Sequence, residues 1–159
     1  MASCANAYKP FDEAGDFPTT SGNPVDDLTL AVYTGDFTRT KLEVSPETAE
    51  NSAAAAVAFP ETYAKTDGAG LSITAADKIN VDAPISTIEN AQAYKDGEVY
   101  TARTDTTGED GTVTKSYVKF TISGDTINVI QYVVEITTDG VSMRATYTAT
   151  LDKDASAGS

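Results

Sequence analysis

The fold is decided by residues 126–151, which read TINVIQYVVEITTDGVSMRATYTATL. Residues 126–138 and 141–151 predict two long strands, and Asp139-Gly140 between them is typical of a two-residue hairpin turn. In the second strand apolar and polar residues alternate, as in an antiparallel strand with one buried and one solvated face. The predicted core face consists of Val141, Met143, Ala145, Tyr147, Ala149 and Leu151.

The first strand of this hairpin is apolar on both faces in its middle. A strand covered on both sides is central in its sheet, or one of its faces meets a partner or a helix. Strict period two places Ile130, Tyr132, Val134 and Ile136 on one face; the other face, which we predict to be an interface, holds Ile127, Val129 and Val133.

Further strands are predicted towards the N-terminus. Residues 98–105 and 112–122 complete an antiparallel meander of four strands, with turns at 106–111 and 123–125. The fold class is therefore mainly β, as a sandwich or an up-and-down barrel, because such long strands suit a curved sheet. Shorter strands are predicted at 28–34, where Leu28, Leu30 and Val32 share a face, and at 37–44, 71–74 and 79–81, whereas 84–95 are ambiguous.

One short helix is predicted near residues 46–58. Ser45 is a suitable N-cap, Pro46 suits the first helical position, and alanines follow. Phe59-Pro60 ends the pattern.

The chain divides into three predicted parts. Residues 1–27 form a flexible acidic arm or tether, residues 28–151 a β-domain, and residues 152–159 a polar tail. Phe11 and Phe17 are large apolar residues of the arm, so we predict that they dock on a neighbouring molecule.

The composition excludes several functions. The 159 residues carry a net charge of −13, with no His and one Cys. This charge opposes binding to nucleic acid or to an anionic membrane. A catalytic triad based on His is excluded, as is a zinc site built from cysteines within one chain. We therefore predict no enzyme activity, and a protein partner or self-association.

Cys4 follows Ala2-Ser3, and this short sequence resembles the end of a bacterial lipobox. The resemblance implies lipidation of Cys4 and a membrane tether. The basic and apolar regions of a signal peptide do not precede it. The alternative is a free thiol.

An acidic loop spans residues 105–111 and contains Asp105, Glu109 and Asp110. Clustered carboxylates and turn carbonyls can supply the oxygen ligands that calcium requires, although the spacing is not that of an EF-hand. We predict a solvated hairpin loop, with a calcium site as the alternative, and no other cofactor.

Three functions remain open. The leading one is a non-enzymatic β-domain that acts in assembly or binding, either as a structural subunit of a virion or extracellular filament or as a tethered surface lipoprotein. It would be extracellular, on a cell surface or in a virion. The second is a small-ligand carrier like the lipocalins, with a cavity lined by Tyr100, Tyr132 and Tyr147. The third is a hydrolase that uses paired carboxylates.

Overall fold

The computed structural model describes residues 17–45, 47–82 and 87–154. Over these residues, twelve strands form one sheet in which every pairing is antiparallel, and one α-helix packs beside it. The predicted mainly β fold with one short helix is confirmed. The elements are β1 Asn23–Pro24, β2 Ala31–Thr34, β3 Phe37–Ser45, α1 Ala49–Ala58, β4 Thr62–Tyr63, a 3-10 turn Lys65–Asp67, β5 Gly70–Ala75, β6 Lys78–Asp82, β7 Ile88–Gln92, β8 Tyr94–Asp96, β9 Val99–Thr107, β10 Val113–Ser123, β11 Thr126–Thr138 and β12 Val141–Lys153.

The sheet curls into a nearly closed barrel. Its strand order is β1-β8-β9-β10-β11-β12-β2-β5-β6-β7, and β3 pairs with β12 and with β4. β7 ends this order and β8 lies next to its beginning, yet only Ala93 separates them along the chain. The two ends of the sheet must therefore lie side by side. The amide of Ala93 donates to the carbonyl of Asp77, and the amide of Val25 donates to the carbonyl of Ala93, both at 3.0 Å.

The predicted meander is present as β9 to β12, and β11 has the predicted bounds. The register departs from strict period two at a bulge in β11 between Val129 and Tyr132. Because of this bulge, the predicted assignment of Ile127 and Val129 to the outer face of β11 is wrong. Ile127 and Val129 lie in the main core together with Tyr132, so they are not available to a partner, whereas Val133 lies on the outer face.

The helix starts three residues later than predicted. Thr48, not Ser45, is the N-cap, and its side-chain oxygen accepts from the amide of Asn51 at 3.0 Å. Ser45 instead ends β3. Thr48 is the next hydroxyl residue after Ser45 in the chain, and its backbone has the extended conformation that an N-cap requires. Pro46 lies outside the described residues.

The core lies inside the curled sheet, and α1 contributes Ala55 to it. The predicted face of the first strand is wrong: Ala31 and Tyr33 of β2 point inward, and Leu30 is exposed. The strand begins at Ala31, so Leu28 is buried from the preceding loop. The largest fully buried side chains are Tyr132, Tyr147, Phe37, Phe59, Phe120, Leu71, Ile79 and Ile88.

Of the predicted arm, only residues 17–27 are described. Phe17 lies against the outside of the sheet, and Val25 is part of the main core. At the other end β12 continues to Lys153. Within the described residues, no helix is both long and apolar enough to cross a membrane.

Candidate functional site on the outer face of the sheet

A row of alternating charge crosses five neighbouring strands on the outside of the barrel. The register aligns Asp105 of β9, Lys115 of β10, Glu135 of β11, Arg144 of β12 and Glu43 of β3. Opposite charges that face one another across strands stabilise a sheet. Each charged side chain of the row therefore has an opposite charge on the neighbouring strand.

The central pair of the row is well shielded from water. The Nε and Nη2 atoms of Arg144 both donate to Oε1 of Glu135, at 2.9 and 2.6 Å. The two side chains are only 11% and 10% exposed. A charge pair this far from water is costly to break, because either partner left alone would be poorly solvated.

A second pair lies within β9. The guanidinium of Arg103 donates to both carboxylate oxygens of Asp105, at 2.8 and 2.9 Å. Hydrogen bonding by Arg103 lowers the pKa of Asp105, and the same bond raises the pKa of Arg103. The bidentate geometry orients the guanidinium of Arg103 on the outer face.

Phe17 covers this part of the face. With Tyr117 and Val133 it forms a buried cluster that is separate from the main core. Its ring centroid lies 4.9 Å from Cζ of Arg103, 5.6 Å from Cζ of Arg144 and 6.0 Å from Nζ of Lys115. Three cations therefore surround one aromatic ring at distances typical of cation–π contacts.

The backbone next to Phe17 is also held by the sheet. Residues 17–22, which we call the strap, run from Phe17 to Gly22 directly before β1. Nη1 of Arg103 donates to the carbonyl of Pro18 at 3.2 Å, and the amide of Ser21 donates to Oγ1 of Thr101 at 3.1 Å. At its end, β1 pairs with β8.

Gly22 is required where the strap turns into β1. Its φ is +88°, a left-handed backbone that other residues rarely adopt. A Cβ atom there would lie 2.1 Å from the carbonyl oxygen of Lys95.

A groove of about 390 Å³ lies beside Phe17 on β11, β12 and β3. Its walls combine apolar and polar groups and include both signs of charge. The lining includes Pro18, Lys41, Glu43, Gln131, Arg144 and Thr146.

The charge of this face differs from that of the whole chain. We define the outer-face patch as eight charged residues of β3, β9, β10, β11 and β12. Its five cations are among the eleven of the chain, and they face three carboxylates, so the patch has a net charge of +2 in a protein of net charge −13. The patch consists of Lys41, Glu43, Arg103, Asp105, Lys115, Lys119, Glu135 and Arg144.

The predicted site residues fall in different places. Phe17 and Val133 meet in the outer cluster, whereas Ile127 and Val129 are part of the main core. Phe11 and Cys4 lie outside the described residues. The pattern of apolar residues alone did not indicate the charged residues of the patch.

Two of the three predicted calcium ligands accept hydrogen bonds from nearby residues of the chain. Asp105 accepts from Arg103, and Asp110 accepts from the amide of Thr112 at 3.0 Å, which lowers the pKa of Asp110. Glu109 is exposed. Among the described residues, no three acidic or cysteine side chains are grouped so that they could hold a metal ion. A calcium site in this loop stays a prediction.

The tyrosines that were predicted to line a ligand cavity pack against other rings. Tyr132 lies edge-on to Phe37, with the ring centroids 5.8 Å apart, and its ring centroid is 6.5 Å from that of Tyr147. Tyr100 stacks on Phe120 at 5.3 Å. The hydroxyl of Tyr147 donates to the carbonyl of Pro60 at 2.8 Å. Tyr132 and Tyr147 are fully buried, whereas Tyr100 is partly exposed and lines a surface cavity with Lys95, Glu98 and Thr121. A ligand carrier stays a prediction.

Comparisons with known proteins add little. No protein-family profile matches the chain, and no curated protein matches it. A solved structure from Bacteroides fragilis, provisionally described as an outer membrane protein, matches with 9% sequence identity and a TM-score of 0.34. The match covers 80% of this chain and 50% of that chain, so this chain spans about half of that structure. A likeness this loose does not establish a shared fold.

Proposed function

We propose that the protein is a non-enzymatic β-domain of a cell surface, virion or extracellular filament, and that it assembles through the outer face of β9 to β12 and β3. The observation that carries this function is the cover that Phe17 forms over the outer-face patch. The patch is positive within an acidic protein, and the same face already holds a peptide segment. Phe17 packs in one cluster with face residues, and side chains of the sheet form hydrogen bonds with the strap backbone.

Electrostatics supports contacts between copies of this chain. A charge of −13 keeps monomers apart at low ionic strength, whereas salt screens the repulsion. A patch of charge +2 gives the acidic surface of a neighbouring copy one favourable place to approach. Salt weakens this attraction as well, but the repulsion between two chains of charge −13 is the larger effect. Assembly should therefore be weak at low salt and stronger at the ionic strength of seawater.

A tethered surface lipoprotein is the other form of this function. It depends on Cys4, which precedes the strap in the chain. Mass analysis of the protein from its native cells would test it, since lipidation adds acyl chains to that residue. The ligand carrier is less well supported, because Tyr132 and Tyr147 are packed within the core.

Light scattering on the full chain at low and at seawater-like salt tests the assembly form. We expect multiples of 16.6 kDa at the higher salt. The double variant Lys41→Glu/Lys119→Glu reverses two charges in the patch and should reduce assembly. The matched control Lys65→Glu/Lys153→Glu makes the same change in net charge at exposed positions outside the patch. Equal loss in both variants would contradict a role for the outer face.

A further inference from the structure

We infer that copies of this chain assemble by exchanging the strap, so that Phe17 of one copy occupies the outer face of the next. This exchange rests on the proposed function and names its partner, a second copy of the same chain. The evidence is the seated strap itself, its separation from the main core, and the turn at which it leaves the barrel.

The site already shows which ligand it accepts. It takes an aromatic ring in one cluster with Tyr117 and Val133, and two guanidinium groups lie over that ring. It also takes an extended backbone, whose carbonyl at Pro18 accepts from Arg103 and whose amide at Ser21 donates to Thr101. A second copy carries this segment unchanged, so its Phe17 and Pro18 can make the same contacts on a neighbouring face.

Detaching the strap leaves the barrel core intact. Phe17 packs in a three-residue cluster outside the main core, and Ser21 and Gly22 of the connection are exposed. The next anchors are the two-residue strand β1 and then Val25, which is in the main core. Opening therefore breaks a small, local set of contacts, as expected for a segment of low local stability.

The chain geometry allows the strap to reach a neighbour. Gly22 provides a turn point with φ of +88° immediately before β1. Six residues from Phe17 to Gly22 span roughly 20 Å when extended. Pro18 restricts the backbone next to Phe17, which reduces the entropy that a detached strap would lose on docking again.

Exchange in one direction produces an open series of copies. Each copy gives its strap to one neighbour and accepts the strap of another, so the contact is heterologous. Such contacts close into rings or extend into filaments, depending on the rotation between copies. A reciprocal exchange between two copies gives a closed dimer instead.

A mixture of two single-cysteine variants tests the exchange in the full chain. Cys4→Ser removes the native thiol in both. One variant then carries Pro18→Cys as the donor and keeps Phe17. The other carries Val133→Cys as the acceptor together with Phe17→Ala, which frees its face, and a purification tag that gives it a different mass. Pro18 and Val133 line the same groove. Exchange places the two new thiols together in different chains. After mild oxidation at seawater-like salt, we expect a disulfide-linked heterodimer as the main covalent product.

The control is Val57→Cys in place of Val133→Cys. Val57 is 85% exposed on α1, so its thiol is at least as accessible as one at position 133. The heterodimer yield of the true pair should exceed that of the control pair at least severalfold. Equal yields would overturn the exchange, because they would show random collision.

A second measurement does not depend on oxidation. Phe17→Ala removes the donated ring but leaves the acceptor face, and Val133→Glu blocks the acceptor but leaves the ring. Each variant alone should lose most of its assembled mass, and a mixture should form a complex that contains both. If the Val133→Glu variant does not fold, Val133→Arg replaces it. Failure of the mixture to form a complex, with both variants folded, would overturn the exchange.

The outcomes separate the exchange from the proposed function. If wild-type protein assembles and Phe17→Ala assembles equally well, the exchange is wrong and the outer-face function stands. If wild-type protein is monomeric at every salt concentration, assembly and exchange are both wrong.

Discussion

The inner and outer faces of β9 to β12 come from the same strands but stabilise the molecule in different ways. The inner face carries large apolar side chains such as Phe120, Tyr132 and Leu151, which are fully buried. The outer face carries paired charges and one small apolar cluster under Phe17. The inner face therefore depends on packing within the domain, whereas the outer face is covered in part by the strap.

The bulge in β11 produces this division. Without it, Ile127 and Val129 would share the outer face with Val133, and the cluster under Phe17 would be larger. The register shift between Val129 and Tyr132 turns Ile127 and Val129 inward. Bulges of this kind redirect side chains, and here the result is an outer face that is mainly polar.

The largest effect should come from the inner face. Tyr132→Ala removes a fully buried ring that contacts Phe37, so it should lower the free energy of unfolding by about 4 kcal/mol. Denaturant titration followed by circular dichroism measures this. Ile130→Ala is the control, since Ile130 is partly exposed, and its cost should be below about 1 kcal/mol. Similar costs for both would contradict the assignment of the faces.

Breaking the shielded ion pair should be the next largest effect. Arg144→Met leaves Glu135 without its main cation, and we expect a loss of about 3 kcal/mol at pH 7. In the double variant Arg144→Met/Glu135→Leu most of this loss should be recovered, because no charge is left unpaired. A double variant that is less stable than the single one would show that the pair itself, and not the isolated charge, determines stability.

Removing the ring of the strap should have a smaller effect on global stability. Phe17→Ala exposes the outer cluster and should cost about 2 kcal/mol. It should also make the chain near Gly22 more susceptible to proteolysis, while the barrel core resists. Thr19→Ala, at an exposed position, is the matched control. Loss of the whole fold in Phe17→Ala would show that the strap is an integral part of the core.

The smallest effect should follow the titration of Asp105. Its pKa is lowered in the folded state by the hydrogen bonds from Arg103. Its contribution is therefore present above the ordinary carboxylate pKa and is lost as the pH falls through the lowered value. The side chain is about half exposed, so the contribution should be below about 1 kcal/mol. In Asp105→Asn, this part of the acid destabilisation should disappear; an unchanged pH profile would contradict the assignment.

The inner face of β12 could be predicted from the sequence, whereas the faces of β11 could not, because a bulge breaks its alternation. The outer face could be predicted only in part. Alternation in residues 141–151 identified the core side of β12, because burial on one face imposes period two. The hairpin turn at Asp139-Gly140 pairs Thr138 with Val141. When the pairing is counted outward from this turn, Glu135 lies opposite Arg144. The ion pair can therefore be predicted from the hairpin register, whereas the pattern of apolar residues does not indicate it.

The other parts of the site depend on contacts that local patterns do not encode. The bulge shifts the register of β10 against β11, so the row from Lys115 to Glu135 cannot be counted from the turn at residues 124–125. The strap returns over β9, where Pro18 meets Arg103 across 85 residues of sequence. The predicted arm is rich in Pro, Gly and acids, and this composition does not indicate that Phe17 packs on a complementary surface.

The most direct test of the central claim is the solution mass of the full chain and of Phe17→Ala, measured by light scattering at seawater-like salt. We expect wild-type protein to give multiples of 16.6 kDa and Phe17→Ala to give a folded monomer. A wild-type monomer, or a Phe17→Ala variant that assembles like the wild type, would contradict assembly through the exchanged strap.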